Sequence, residues 1–274
     1  MEDAKLVELA LEPDAACFGV YDGHGGKEVA IFVSRHLGEE LVKNPKYQSG
    51  RYDQALIETY LKLDTMLMTE SGRKELYRIC KDLPDSAPVS ADDLESIAGC
   101  TAVTALVKGS TLYVANAGDS RCVLAKKGRA IEMTVDHKPD LPSERDRIYR
   151  AGGSVEDGRV MGNLNLSRSI GDLEYKRNHT IPPEDQMITA CPEIHTETID
   201  RDTDFMILAC DGIWDMLTSQ QCVDFVYQRL GQKPLNIIVE EILDRCLASD
   251  VATSGGLGCD NMTCVLVVFK DTTS

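Results

Sequence analysis

The sequence contains no uninterrupted apolar run close to the ~20 residues that a membrane-spanning helix needs. Its first residues lack the apolar core of a signal peptide, and no solenoid repeat or low-complexity linker follows. These absences exclude a membrane-spanning helix and a repeat array within this sequence. We therefore predict that residues 1–274 form a single domain with one packed interior.

Basic residues are in short supply: 29 Lys and Arg stand against 45 Asp and Glu, and the formal net charge is −16. A protein of this charge repels phosphate backbones, which argues against nucleic-acid binding and against a two-metal nuclease. Bound cations or basic partners are favoured instead. Acidity that only maintains solubility is the simpler explanation for most of the charge.

No CxxC pair occurs among the 10 cysteines. Cys17, Cys210 and Cys264 lie inside apolar runs, where cysteine acts as a small core residue. This usage predicts reduced thiols, with neither a disulfide framework nor a zinc site. We expect a reducing compartment, in the cytoplasm or the nucleus.

The apolar pattern alternates between helical and strand-like periods. It predicts helices over about 27–43, 53–69, 143–150, 219–230 and 235–248, and strands over about 5–12, 15–21, 101–107, 111–117, 121–126, 205–210 and 262–269. Residues 101–126 are interpreted as an antiparallel meander. An acidic exposed loop is predicted over 82–95 and a mobile polar loop over 151–165. The fold class is α+β, with antiparallel sheet packed against helices.

The most informative stretch follows the strand that ends at Tyr21. Asp22, Gly23, His24, Gly25 and Gly26 form a turn whose glycines leave the polar side chains accessible. A carboxylate at a strand end can bind a hard cation, and an imidazole beside it can transfer a proton. A loop that only starts the next helix is the alternative.

Aspartates recur at other strand ends, namely Asp211, Asp260 and, at a tight connection, Asp119. Four carboxylates that converge on one point repel one another strongly, and bound divalent cations relieve that repulsion. An all-oxygen site favours Mg²⁺ or Mn²⁺, and two such ions can clamp a phosphoryl group. Each aspartate taken alone is explained equally well as a turn residue.

Other candidates have weaker support. His137 and His195 are interpreted as solvated loop histidines, and Arg159 and Arg168 as exposed residues. Either arginine could instead contact a phosphoryl group.

Nine stretches together resemble the type 2C, metal-dependent serine/threonine protein phosphatases, in family order from the first residue nearly to the last. They are residues 1–4, 20–26, 99–102, 117–121, 136–139, 151–155, 166–172, 208–215 and 259–263. The glycine-rich residues that lead into the last stretch are most similar to the gamma-type branch of animal enzymes and their fungal relatives. The resemblance implies two stacked antiparallel β-sheets flanked by helices, an α-β-β-α sandwich, and phosphomonoester hydrolysis without a covalent intermediate.

The resemblance also implies roles for individual residues. His24 would be the general acid, and Asp22 would bridge two metal ions. The implied metal ligands are Glu2, Asp22, Gly23, Asp211 and Asp260, with Asp119 at a weaker third ion and Asp3 nearby through water. A flap over about 138–163 would border the substrate cleft and carry Arg159 as a candidate for substrate binding.

One departure concerns an arginine that the family carries shortly before the Met-Glu-Asp motif, on an N-terminal strand. The sequence starts at Met1, so neither is seen, and we expect this chain as given to hydrolyse phosphoesters poorly. We also expect a monomer that acts on phosphoproteins and binds neither nucleic acid nor membrane. A metal-binding pseudophosphatase scaffold that recognises phosphoproteins is the alternative function.

Overall fold

Two antiparallel sheets form the centre of the fold in the computed structural model, which describes residues 1–81 and 98–269. The five-stranded sheet, in spatial order, consists of β1 (Ala4–Glu12), β2 (Ala15–Tyr21), β5 (Ala102–Lys108), β6 (Thr111–Ala117) and β12 (Glu193–Thr198). The four-stranded sheet consists of β14 (Cys264–Val268), β13 (Thr203–Ala209), β7 (Arg121–Lys126) and β8 (Arg129–Glu132). All their pairings are antiparallel.

Two smaller sheets complete the strands. The first contains β11 (Ile170–Gly171), β4 (Gly99–Cys100) and β3 (Gly23–His24), and the second pairs β9 (Val155–Glu156) with β10 (Arg159–Val160). The helices are α1 (Glu28–Lys43), α2 (Pro45–Gln48), α3 (Tyr52–Leu67), α4 (Glu70–Lys81), α5 (Pro142–Arg150), α6 (Asp211–Trp214), α7 (Ser219–Tyr227) and α8 (Leu235–Cys246).

The central strands are apolar on both faces because each face is covered. In β13, Met206 and Leu208 face the core between the two sheets, whereas Phe205 and Ile207 pack in the cluster that contains residues of α7 and α8. The five-stranded sheet is arranged in the same way, with α1 and α3 on its outer face. This layering confirms the predicted α-β-β-α sandwich.

The predicted helices and strands are confirmed with small shifts at their ends, and β1 is an edge strand as expected. The meander over 101–126 was wrong. Strands β5 and β6 pair with each other, but β7 leaves them and pairs with β8 and β13 in the other sheet. Local periodicity could not show this crossover, because β13, which pairs with β7 along the edge opposite β8, lies about 80 residues further along the sequence.

Three further segments bear on the sequence predictions. Helix α4 was not predicted at all, and its alternation of charged residues with only a few apolar ones explains why. The polar loop over 151–165 contains the β9–β10 hairpin. The acidic loop predicted over 82–95 lies outside the described residues. Within the described residues, no helix combines the length and the apolar character needed to span a membrane.

Candidate metal centre and active site

A cavity of about 210 Å³ opens at one end of the sandwich and gathers most of the predicted site residues. Its walls are formed by Glu2, Asp22, Gly23, His24, Thr101, Asp119, Asn165, Leu166, Asp211 and Asp260. The strand-end aspartates therefore converge, although they are separated by up to 238 positions along the chain. Thr101, Asn165 and Leu166 were not predicted as site residues: Thr101 and Leu166 belong to two of the family-like stretches, but no role was assigned to any of the three.

Both sheets contribute to this cavity. Asp22 directly follows β2 of the five-stranded sheet, and Asp211 follows β13 of the four-stranded sheet and begins α6. Asp119 lies in the connection from β6 to β7, where the chain passes between the sheets. Asp260 lies in the loop before β14. The site therefore depends on how the two sheets stack.

Two carboxylates of the cavity, Asp22 and Asp211, form no ion pair with a basic side chain within residues 1–81 and 98–269. Burial raises the pKa of Asp22 well above its usual range, and the neighbouring charges of Asp3, Asp211 and Asp119 raise it further. Burial and the charge of Asp119 likewise raise the pKa of Asp211. In both cases the protein makes ionisation costly, and a bound cation would offset that cost.

Unpartnered atoms point to the same conclusion. Oδ1 of Asp211 and Oδ1 of Asp3 are buried, and neither has a hydrogen-bond partner within residues 1–81 and 98–269. Buried carboxylate oxygens are normally satisfied by hydrogen bonds or by a metal ion. One ligand atom each from Asp3, Asp22 and Cys210 lies within 4.8 Å of the others, but the Cys210 thiol donates to Asp3 and so remains protonated. The remaining donors are all oxygens, which fits Mg²⁺ or Mn²⁺.

Asp119 differs from the other carboxylates because it has a basic partner, the ammonium group of Lys138. The connection that carries it is held by His137, whose Nδ1 accepts from the Gly118 N–H at 3.2 Å. The prediction that His137 is a solvated loop residue was therefore wrong: it is 2% exposed, and its Nε2 lies 3.3 Å from Glu193. His195 is exposed as expected, but it lies in β12 and not in a loop.

Two candidate ligands, Glu2 and Asp260, lie at the rim of the cavity, and each makes a hydrogen bond with Asn261. The Glu2 N–H donates to the side chain of Asn261, so the start of the chain is tied to the loop before β14. A Cβ at position 23 would lie 2.5 Å from the Glu2 carbonyl oxygen, so Gly23 permits this close approach. Asp260 is exposed, and its Oδ1 accepts from the Asn261 N–H at 2.7 Å, the turn role considered as its alternative.

The imidazole of His24 contacts a second acidic residue that the sequence did not reveal. Its Nε2 lies 2.7 Å from Oδ2 of Asp172, whose side chain is 3% exposed. Burial lowers the pKa of His24, but the hydrogen bond and charge of Asp172 outweigh that effect and leave the pKa raised. Asp172 belongs to one of the family-like stretches, yet it follows no long strand and so lacked the pattern that marked the other aspartates.

The region predicted as a flap has an ion-pair cluster at its base. Glu144 is 1% exposed and contacts Arg147 and Arg168, each at 2.7 Å. The interpretation of Arg168 as an exposed residue was therefore wrong. Arg159 is exposed in β10, and its Nη1 donates to the Asn163 carbonyl at 2.7 Å. Arg159 is not among the residues that line the cavity, so its contact with substrate stays a prediction.

Comparisons with known proteins agree with this geometry. The sequence model described as protein phosphatase 2C matches residues 1–255. The chain is 48% identical over 271 residues to a probable protein phosphatase 2C 5 of Paramecium tetraurelia, covering 98% of this chain and 88% of that protein. It is 42% identical over 297 residues to a probable protein phosphatase 2C 21 of Arabidopsis thaliana, covering 98% and 83%.

Among solved structures, a serine-threonine phosphatase 2C from Toxoplasma gondii has the same fold. The TM-score is 0.73 at 24% identity, and the alignment covers 98% of this chain and 94% of that one. The assignment to the gamma-type branch stays a prediction.

Proposed function

The chain belongs to the protein phosphatase 2C family and is a metal-dependent serine/threonine protein phosphatase, and from that premise we propose which residues perform the reaction. Asp22, Asp211 and Asp260 would hold one divalent ion, and Glu2 together with Asp22 would hold a second, with the Gly23 carbonyl as a further ligand. His24 is the general acid. The observation that carries this proposal is the convergence of these residues on one cavity in which Asp211 retains an unpartnered buried oxygen.

Electrostatics explain why cations are required for substrate binding. A phosphomonoester is an anion, and the cavity itself presents several carboxylates. Without cations, repulsion would exclude the substrate from the very site that is to hydrolyse it. The acidic cavity is therefore competent only when its carboxylates are neutralised.

The all-oxygen donor set supports Mg²⁺ or Mn²⁺. We propose two ions, with Asp119 as a ligand of a weaker third, as the family resemblance implies. Such ions, when bound, lower the pKa of a shared water and neutralise charge on the phosphoryl oxygens. The chain's own residues do the remaining work: they place the carboxylates, hold Gly23 against Glu2 and supply a proton from His24.

His24 acts at the other end of the reaction. Hydrolysis of phosphoserine or phosphothreonine expels an alcohol oxygen, which is a poor leaving group unless it is protonated as the bond breaks. His24 lines the cavity and is 26% exposed, so its ring can reach both a bound substrate and solvent. This placement supports its role as the proton donor.

Three further expectations accompany the proposal. All ten cysteines are free thiols, which supports a reducing cytosolic or nuclear environment. The monomeric state, and Arg159 of the flap as a contact for the substrate phosphate, belong to the same proposal.

The decisive experiment measures hydrolysis of p-nitrophenyl phosphate with and without Mn²⁺, for the wild-type chain and for Asp211→Asn. We expect activity that requires the metal and falls by about three orders of magnitude in the variant, since a metal site supplies several kcal/mol of transition-state stabilisation. Asp224→Asn, an exposed change on α7, is the matched control.

Calorimetry with Mn²⁺ separates the outcomes. Metal binding without hydrolysis would favour the pseudophosphatase scaffold. Full activity of Asp211→Asn would contradict the assignment of Asp211 as a metal ligand.

A further inference from the structure

Asp172 is a buried carboxylate that contacts the proposed general acid and has no assigned role in metal binding. Its Oδ2 lies 2.7 Å from Nε2 of His24. Within the described residues, the other ring nitrogen of His24, Nδ1, makes no hydrogen bond to the protein. The imidazole is thus held through Nε2, while Nδ1 is available to exchange a proton with substrate.

The position of Asp172 is fixed from several directions. The Ser169 hydroxyl donates to the same Oδ2, and the Asp172 N–H donates to the Ala98 carbonyl at 3.1 Å. Its backbone has φ = 49°, a left-handed conformation that is uncommon outside glycine but comparatively accessible to Asp and Asn. The surrounding structure therefore maintains a conformation that aims this carboxylate at the ring.

The contact also requires a glycine at position 99. A Cβ there would lie 2.4 Å from Oδ2 of Asp172 and 2.7 Å from Nε2 of His24. Gly99 lies in β4, which pairs with His24 on one side and with Gly171 on the other. The small three-stranded sheet thus brings histidine and aspartate together and leaves the space in which they meet.

We propose that Asp172 is the positioning residue of the general acid and that it fixes both the orientation and the tautomer of His24. This role rests on the proposed function of His24. The carboxylate accepts the Nε2–H, so Nδ1 is the nitrogen that exchanges its proton. Carboxylates that orient a functional histidine in this way are common in enzyme and metal sites.

The proton balance of the step follows directly. Water oxygen forms a bond to phosphorus and releases one proton to solvent, while the bond from phosphorus to the serine or threonine oxygen breaks. The electron pair of that bond stays on the leaving oxygen, which takes the proton from Nδ1. His24 is left neutral with its proton on Nε2, and Nδ1 regains a proton from solvent.

This role makes the effect of losing Asp172 depend on the substrate. A serine alkoxide leaves poorly and needs the proton, whereas p-nitrophenolate is a stable anion and leaves without it. A residue that only supports the fold would lower the hydrolysis of both substrates by similar factors. The ratio of the two rates therefore separates positioning from structural support.

The test compares kcat for a phosphoserine peptide and for p-nitrophenyl phosphate at saturating Mn²⁺, with Asp172→Asn as the main variant. Asparagine keeps the shape and tolerates the left-handed backbone, but it removes the charge. We expect a loss of about 10–100-fold in kcat on the peptide, the range for residues that orient a functional histidine. The loss on the aryl phosphate should stay within about threefold, and KM should change little for either substrate.

Two further variants guard against misfolding and against indirect effects. Gly99→Ala separates the two side chains without altering either, and it should show the same selective loss on the peptide. Asp64→Asn is the matched control: Asp64 is a buried carboxylate that binds the Gly171 N–H and Lys176 but does not contact His24. It should affect both substrates equally.

A double variant gives the final criterion. If Asp172 acts through His24, then Asp172→Asn adds nothing to His24→Ala on the peptide, because the two residues form one unit. Equal losses on both substrates, or a further loss in the double variant, would overturn the positioning role. A wild-type chain inactive on both substrates would instead overturn the proposed function on which the role depends.

Discussion

Two buried acidic groups in this molecule have opposite electrostatic environments. In the cavity, burial and neighbouring carboxylates raise the pKa of Asp22 and Asp211. At the base of the flap, burial also disfavours the charge of Glu144, but hydrogen bonds and charges from Arg168 and Arg147 lower its pKa to about 2. Arginine side chains of the protein neutralise Glu144, whereas no basic side chain forms an ion pair with Asp22 or Asp211 within the described residues.

This difference separates a structural cluster from a binding site. The Glu144 cluster connects α5 to residues just before β11 and needs nothing from outside. Asp22 and Asp211 have no such arginine partners within the described residues, and a bound cation would offset their mutual repulsion. An unbalanced buried charge is therefore a better indication of function here than the number of acidic residues.

The largest effect on stability should come from breaking the completed cluster. Glu144→Ala leaves Arg147 and Arg168 buried without their partner and should lower the free energy of unfolding by about 3–5 kcal/mol. Urea denaturation measures this change. Glu241→Ala, in a solvent-screened pair with Arg229 and Lys233, is the control and should lower the free energy of unfolding far less. Similar losses in the two variants would remove the distinction between buried and exposed pairs.

The pH dependence of stability should have opposite signs in the two regions. The folded pKa of Glu144, about 2 against an ordinary 4.5, contributes ~3 kcal/mol that is complete above pH 4.5 and is lost as the pH falls toward 2. For Asp22 the folded pKa is raised, so metal-free stability should fall as the pH rises above about 4.

Urea denaturation in EDTA between pH 2.5 and 9 tests both signs. Glu144→Gln should weaken only the loss of stability below pH 4.5. Asp22→Asn should weaken only the loss of stability above about pH 4. A metal-free protein whose stability rises steadily from pH 5 to 9 would contradict the uncompensated state of the cavity.

Removing a charge from the cavity should stabilise the metal-free protein while it destroys activity. Asp22→Asn replaces a group that is costly to ionise in this environment, and we expect a gain of about 1–3 kcal/mol in the free energy of unfolding without metal. Mn²⁺ should raise the melting temperature of the wild type but not that of the variant. A loss of metal-free stability in Asp22→Asn would show that its carboxylate is satisfied by the protein after all.

The smallest expected effect concerns metal binding near Asp119. Lys138 partly neutralises this carboxylate, so its environment is intermediate between that of Asp22 and that of Glu144. Lys138→Met removes this tethered cation, and Mn²⁺ should then bind up to about fivefold more tightly, since such a half-exposed pair is worth at most ~1 kcal/mol. Calorimetry measures the dissociation constant. Lys127→Met, which breaks a pair with Asp202 at the opposite end of β7, should leave Mn²⁺ binding unchanged, and weaker binding in Lys138→Met would refute the competition.

The local pattern was sufficient to predict the strands, helices and part of the cavity. Apolar runs marked the strands, and aspartates at strand ends marked Asp22, Asp211 and Asp260, because strand ends are local features. The two stacked sheets and the candidates Glu2 and Gly23 were implied only by the resemblance to the phosphatase family. The predictions that were wrong concerned contacts between residues far apart in the sequence. The sheet that β7 joins, the burial of His137 against Glu193 and the pairing of Arg168 with Glu144 involve residues 24 to 88 positions apart.

Asp172 was missed for a related reason. Its partner His24 lies 148 positions away, and the short strands that bring the two together have only two residues each. Such strands carry no detectable periodicity.

The passage of the chain from β6 to β7 has a mechanical consequence. Residues 118–120 connect a strand of one sheet to a strand of the other beside the cavity. Asp22 and Asp211, in contrast, approach each other from separate sheets with no direct chain connection between them. A cation shared by those two side chains would act as a second fastener at the same end of the sandwich. Amide hydrogen exchange at the cavity ends of β2 and β13 should then slow by the same factor as metal is added. This measurement would report the local opening of the two sheets without any substrate.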